Sequence, residues 1–168
     1  MEKEEIIENK ENREIAIKAV KENGRSLEYI SENFQNDKEI VKLALEQDPE
    51  SLEFASDNLK NDKEIIMQGV KGAPWTICYV SEELRDDREI FLEACKNYGQ
   101  ALYYASEEIR ADKEIVKLAV ENKGIIIKYA SSELRNDKEI AEIAVNQNKD
   151  AFHFISQELQ EELKKDKN

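Results

Sequence analysis

Residues 112–136 read DKEIVKLAVENKGIIIKYASSELRN, and the phrase that opens them returns at once as DKEI from Asp137. Working backwards, it recurs at Asp87 (DREI), Asp62 (DKEI), Asp37 (DKEI) and Asn12 (NREI), with successive starts 25 residues apart and no insertion. The remainder of the unit keeps the same register, because serine falls at Ser31, Ser56, Ser81, Ser106, Ser131 and Ser156. A fixed period of this length is the mark of a stacked repeat architecture. Six units fill residues 12–161, as 12–36, 37–61, 62–86, 87–111, 112–136 and 137–161. An acidic N-terminal capping segment, 1–11, precedes this single array, and a polar C-terminal tail, 162–168, follows it.

Each unit reads as two short helices. In the fifth, Asp112 is an N-cap and Glu114 places negative charge in the first turn, where the helix dipole favours it. Ile115, Val116, Leu118, Ala119 and Val120 follow with helical spacing, and Gly124 stands where a left-handed C-terminus is expected. Ile127, Tyr129 and Ala130 line a shorter helix B, and Ser131 caps a last turn carrying Leu134. Period-two alternation is absent, so strands are disfavoured. Because a helix pair of this size cannot bury its apolar side alone, the expected fold is an all-α αα-solenoid. The expected core has four columns. They are the isoleucines Ile15 to Ile140, the alanines Ala19, Ala44, Ala94, Ala119 and Ala144, the aromatic residues Tyr29 to Phe154, and a closing column from Phe34 to Leu159. Burial at about 1.5–3 kcal/mol per large side chain makes these columns the main stabilising term.

Composition narrows the function. Thirty-eight acidic residues against 25 basic ones give a net charge of −13, which repels phosphate backbones and anionic lipid and argues against direct nucleic-acid binding. The start MEKEEIIENKE lacks an apolar targeting core, and nowhere do ~18 apolar residues run together, so neither export nor membrane insertion is expected. Two cysteines, Cys78 and Cys95, make no disulfide framework, which suits a reducing cytoplasm. One histidine, His153, leaves no histidine-based triad and no multi-histidine metal site. The repeating D-K-E triplet lacks the glycine and alternating ligands of a calcium loop. Its glutamates read as dipole partners, paired with Arg85, Arg110 and Arg135 of the preceding unit's end. No phosphate-binding glycine loop or nucleophile elbow occurs, so a non-enzyme without cofactor or metal is expected.

The phrase D-[KR]-E-I, then a small residue and valine, then Tyr-Ala-Ser, then Leu-Arg before the next Asp, resembles the repeat called domain of unknown function 4116. It is clearest in DREIFLEACKNYGQALYYASEEIR and DKEIVKLAVENKGIIIKYASSELRND and covers about nine tenths of the chain. The resemblance implies a tandem helical repeat and carries no chemistry or catalytic residue. The sixth unit departs from it, with Lys149 in place of Gly or Pro and Phe152 and Phe154 around His153, as a terminal capping unit would.

Departures from the pattern are where a specific task is sought. In the third unit Gly69 replaces the recurring alanine, Gly72 and Pro74 crowd the end of helix A, and Trp75 is the only tryptophan. Arg25, Glu50, Gln100, Ile125 and Asp150 occupy its place elsewhere, so Trp75 is expected to face water with Cys78 on the same helix face, or else to fill the groove left by Gly69. Tyr98 and Tyr103 add aromatic groups at mostly polar positions of the fourth unit. Exposed aromatic residues of this kind are hot-spot chemistry. The candidate protein-binding residues are therefore Trp75, Cys78, Tyr98 and Tyr103, with Glu50 and Glu53 as neighbouring acids. Two functions follow. One is a monomeric adaptor that binds a protein partner. The other is an acidic inhibitor or nucleic-acid mimic that blocks a nucleic-acid-handling enzyme, in the manner of phage-encoded inhibitors of nucleases and CRISPR effectors.

Overall fold

The computed structural model of the chain describes residues 1–165, which form helices and turns without a strand. The fold is an all-α repeat solenoid. Every repeat opens on a ten-residue α-helix, helix A: Arg13–Glu22, Lys38–Gln47, Lys63–Gly72, Arg88–Asn97, Lys113–Asn122 and Lys138–Gln147. The N-caps are those expected, since the side chain of Asn12, Asp37, Asp62, Asp87 or Asp112 accepts from the next two free amides, and Asp137 accepts from Ile140. By contacts along the chain there are two compact units, Met1–Leu84 and Arg85 onward. The border lies inside a last turn, Glu83–Asp86, that is 3-10, whereas the last turns of the other repeats are α.

Helix B differs from expectation. It is a 3-10 helix of six residues in the first five repeats, as Gly24–Tyr29, Pro49–Phe54, Pro74–Tyr79, Gly99–Tyr104 and Gly124–Tyr129, and of five in the last, Lys149–His153. Such a run is long for 3-10 geometry and needs tertiary support. Part of that support is the way it enters. The glycine that opens helix B is not left-handed, because among the described residues none has positive φ. It is small because the next repeat's backbone lies against it. A Cβ on Gly24, Gly99 or Gly124 would stand 2.2–2.4 Å from the carbonyl oxygen of Ala44, Ala119 or Ala144, members of the expected alanine column. The amides of Gly99 and Gly124 donate to Asn122 Oδ1 and Gln147 Oε1 at 2.8 and 2.6 Å. Pro49 has no such amide. Its ring lies on Gly72, where a Cβ would meet Pro49 Cγ at 2.3 Å, and that contact explains the glycine at this position.

The core is aliphatic. Ile40, Ile65, Ile90, Ile115 and Ile140 are fully buried, with Ile15 half-buried at the start. Leu27, Leu52, Ile77, Leu102 and Ile127 of helix B are as deep, a column of which only Ile127 was expected. The aromatic column, by contrast, is only half-buried in every repeat. Its outer faces are covered by cations: Lys3 lies 4.2 Å from the Tyr29 ring centre, Lys60 5.7 Å from Tyr79 and Arg110 5.9 Å from Tyr129. Lys60 and Arg110 also donate to the carbonyls of Glu53 and Tyr103, closing the ends of helix B.

Two polar devices join successive repeats within each unit. The serine amide that starts a last turn donates to a carbonyl 21 residues earlier, as Ser56 to Gln35, Ser106 to Arg85 and Ser156 to Arg135. The hydroxyls of Ser56, Ser81, Ser106, Ser131 and Ser156 accept from the amide three residues on, Ser31 makes no such cap, and Ser56, Ser81, Ser106 and Ser156 also donate to Asn36, Asn61, Asp86 and Asn136. The N-terminal segment stands in for a preceding repeat. Lys3–Glu8 is helical, Ile6 is buried, and Lys10 accepts from the Ser31 amide. At the other end Gln157–Lys165 is one helix that runs through residues assigned to the tail, and 166–168 lie outside the described residues.

The second device is a charge ladder. The glutamates of the D-K-E phrase do not pair with Arg85, Arg110 and Arg135 but with the basic residue of the preceding phrase. Lys38 bonds Asp62 at 2.7 Å and Glu64 at 2.8 Å, Arg88 bonds Asp112 and Glu114, and Lys113 bonds Asp137 and Glu139. Arg13 grips Asp37 and Glu39 in the same way. The Lys38 and Lys42 ammoniums hold the Glu64 carboxyl down to about 2. For Asp62 burial pushes upward, and Lys38 with the Ile65 amide outweighs it, so the acid is still lowered. The aspartates are half-buried and their partners lie at the surface in contact with water, so each pair contributes little by itself.

Two outcomes are expected. Leu102→Ala leaves a cavity and costs about 2–5 kcal/mol, Gly124→Ala costs about 1–3 kcal/mol through overpacking, and Glu28→Ala stays under ~0.5 kcal/mol. Tyr104→Ala loses less than Leu102→Ala. Urea melts check all four. Asp37, Asp62, Glu64, Asp112, Asp137 and Glu139 have lowered folded-state values, so their stabilisation is present above the unfolded carboxylate range and is lost as pH falls toward about 2, the value for Glu64. The gap in urea midpoint between wild type and Lys38→Met should accordingly close as pH drops from the usual carboxylate range toward that value.

Candidate functional site

A 3-10 helix turns once in three residues, so side chains three apart eclipse one another. The outer edge of helix B therefore carries two residues per repeat: Arg25 and Glu28, Glu50 and Glu53, Trp75 and Cys78, Gln100 and Tyr103, Ile125 and Lys128, Asp150 and His153. Placing Trp75 and Cys78 on one face holds for this reason, although the spacing is that of a 3-10 helix and not an α-helix.

In the first unit this edge brings four of the candidate residues together. Trp75 is 49% exposed, and its indole Nε1 donates to Glu50 Oε1 at 2.9 Å. The other oxygen of Glu50 accepts from Arg25 at 3.1 Å, and Arg25 approaches Glu53 at 3.9 Å. Glu50 is thus not a free acid but the link between an exposed indole and a guanidinium. Trp75 does not fill the space beside Gly69. A Cβ there would meet Leu52 Cδ2 at 2.8 Å and Thr76 Oγ1 at 3.2 Å, so it is Leu52 and Thr76 that close it.

Cys78 is exposed, but burial of its sulfur pushes the thiol up, and Glu53 adds to the rise. Burial drives Cys95 further, up to about 12. Neither offers the thiolate a nucleophile needs. His153 is exposed, and among the described residues no group of three or more His, Cys, Asp and Glu side chains is placed to hold a metal ion.

In the second unit Tyr98 is half-buried and Tyr103 is 52% exposed. The ring of Tyr103 meets those of Tyr104 and Tyr129 edge-on, with centres 5.0 and 5.1 Å away. With Tyr98, Lys123, Ile125 and Lys128 these rings line a groove of about 310 Å³. Sequence reasoning named Tyr98 and Tyr103 and missed Tyr129, Lys123 and Lys128. The signal was present, since the fifth repeat is the one with net positive charge.

Local capping explains why this stretch is free to vary. Asn23, Asp48 and Asn148 cap helix B by accepting from the amide two residues on. Ala73, Tyr98 and Lys123 stand at the same place in the middle repeats and make no such bond. Capping of this kind is worth about 0.5–2 kcal/mol. The middle repeats forgo it, and in two of them the position carries a tyrosine or a lysine that lines the groove.

Raised thiols predict slow chemistry. Iodoacetamide at neutral pH should modify Cys78 more slowly than a free cysteine and Cys95 only after unfolding, as read by intact mass against time.

The model of a family described as Domain of unknown function (DUF4116) matches residues 12–60, 40–85, 62–110 and 112–160. No curated protein and no solved structure matches the chain. The overlapping matches step along the same repeats as the helix A, helix B and last-turn pattern, and the chain belongs to this family of tandem repeats.

Proposed function

We propose that the chain is a non-catalytic, monomeric scaffold that binds protein partners in the cytoplasm through the outer edge of its 3-10 helices. The observation that carries this reading is the exposure of Trp75 and Tyr103 on that edge, in a chain whose other large side chains are mostly buried or half-buried. Large amphipathic rings held on short, tertiary-locked helices lose little entropy on binding and make effective anchors. Raised thiols and a lone exposed histidine give the surface no evident nucleophile or base. Among the described residues no helix is long and apolar enough to cross a membrane, and both cysteines are free thiols, which suits a reducing compartment.

A second reading, an acidic inhibitor of a nucleic-acid-handling enzyme, is favoured by a different edge. The last turns present Glu32, Asp57, Glu82, Glu107, Glu133 and Glu158 to solvent, and none of these pairs with a base among the described residues. The ladder acids are neutralised, so the uncompensated charge collects there.

The two readings separate in one titration of peptides selected from a displayed random library. Because Glu50 accepts from Trp75, charge reversal belongs on the last turns, as Glu32→Lys with Asp57→Lys and Glu107→Lys with Glu133→Lys. A tenfold or larger loss in Trp75→Ala or Tyr103→Ala is the expected outcome for the scaffold. Loss confined to the charge-reversed forms, with affinity falling steeply as salt rises, would move the conclusion to the inhibitor.

A further inference from the structure

The first unit's surface is a polar circuit of Arg25, Glu50 and Trp75, whereas five of the residues that line the groove of the second unit have no such partner. Tyr98, Tyr103 and Tyr129 make no hydrogen bond through their hydroxyls, and Lys123 and Lys128 form no ion pair, among the described residues. Lys128 lies 4.8 Å from the Tyr129 ring centre, so its charge is held over an aromatic face and beside the groove. No carboxylate lines the groove, in a chain with 38 acidic residues. The places of Lys123 and Lys128 are held in the other repeats by Asn23 and Glu28, Asp48 and Glu53, Ala73 and Cys78, Tyr98 and Tyr103, and Asn148 and His153. In the fifth repeat alone both are lysines, and there they lie beside the tyrosines of the fourth.

The volume, about 310 Å³, is at the lower end of the range for ligand pockets, about 300–1,000 Å³, and the groove is open along one side. That suits one anchoring side chain with extended backbone on either side better than an enclosed small molecule. We infer that this groove takes an acidic peptide segment of a partner protein, which inserts an aromatic or branched apolar side chain among Tyr103, Tyr104 and Tyr129 and sets its flanking carboxylates against Lys123 and Lys128. The inference rests on the protein-binding reading and specifies the partner for one of its two anchors. Phosphate chains are the poorer fit. Two lysines offer little counterion release, and the exposed acids of the neighbouring last turns, Glu107 and Glu133, oppose a continuous polyanion.

The test selects displayed random peptides on the full chain, then titrates each synthetic peptide against wild type, Tyr103→Ala, Tyr103→Phe, Lys123→Glu/Lys128→Glu and Trp75→Ala, all with matched thermal melts. Expected is a class of peptides with Asp or Glu flanking an aromatic or branched residue. These should lose tenfold or more in Tyr103→Ala and in the double lysine variant, and little in Tyr103→Phe or Trp75→Ala. If selected peptides depend on Trp75 alone, or carry no acidic flank, the groove assignment is overturned while protein binding stands. If an oligothymidylate displaces the acidic class and binds more tightly than any peptide, the ligand is nucleic acid and the inference fails. If no peptide is enriched above an uncoated surface, both readings fall together.

Discussion

At Gly24, Gly99 and Gly124 helix B begins with its backbone pressed against the carbonyl end of the following helix A, and the stacking of those repeats depends on that approach. At Gly24, Gly99 and Gly124 there is no room for even one carbon atom between the chains. A ten-residue helix and a six-residue 3-10 turn have too few residues to bury their own apolar sides. Bringing the two backbones together is what lets helix B of one repeat pack on helix A of the next, as Gly24–Tyr29 does on Lys38–Gln47 and Gly124–Tyr129 on Lys138–Gln147. Hydrogen bonds from serine amides and the lysine–carboxylate ladder then fix the stagger, contributing register more than energy because most lie in or near water.

Much of this was legible in the sequence because it repeats. The 25-residue period fixed the repeat borders, Asp37 and its equivalents marked the helix starts, and the isoleucine and alanine columns came out buried as read. What escaped has common causes. Six residues hold fewer than two α-helical turns, so a period of 3.0 and one of 3.6 leave nearly the same pattern, and helix B passed for α. A glycine after a helix has two uses, left-handed backbone and close approach, and a single chain's letters do not distinguish them at Gly124. The tyrosines look like core residues because hydrophobicity takes no account of a cation above the ring, as Arg110 lies above Tyr129. The ladder was misassigned because Arg110 and Arg135 are near the glutamates in sequence, whereas Arg88 and Lys113 are near them in space.

The candidate surface was legible only in part for a related reason. Trp75 and Tyr103 stand out as exceptions to the repeat, and exceptions are visible. Tyr129 belongs to the regular aromatic column and Lys128 to a position that holds five residue types over the six repeats, so neither stands out until the groove exists. Regular and irregular residues contribute to the same surface, with the column supplying a floor of rings and the variable edge deciding what lies above it. Glu50 shows the converse, a variable acid whose carboxylate is used to hold the Trp75 indole.

The contact between Pro49 and Gly72 means that these repeats are not interchangeable parts. Inside each unit, a repeat whose second helix opens on glycine is followed by one whose first helix ends in Gln47, Asn122 or Gln147, whereas the one opening on Pro49 is followed by Gly72. Arrays of this kind lengthen and shorten by unequal recombination, which exchanges whole repeats without regard to neighbours. A crossover that set Pro49 before a glutamine would force the ring against a side chain. One that set Gly124 before a glycine would strand its amide. Half of each repeat's identity is thus written in the repeat that follows it, so the order of the units is inherited along with their number.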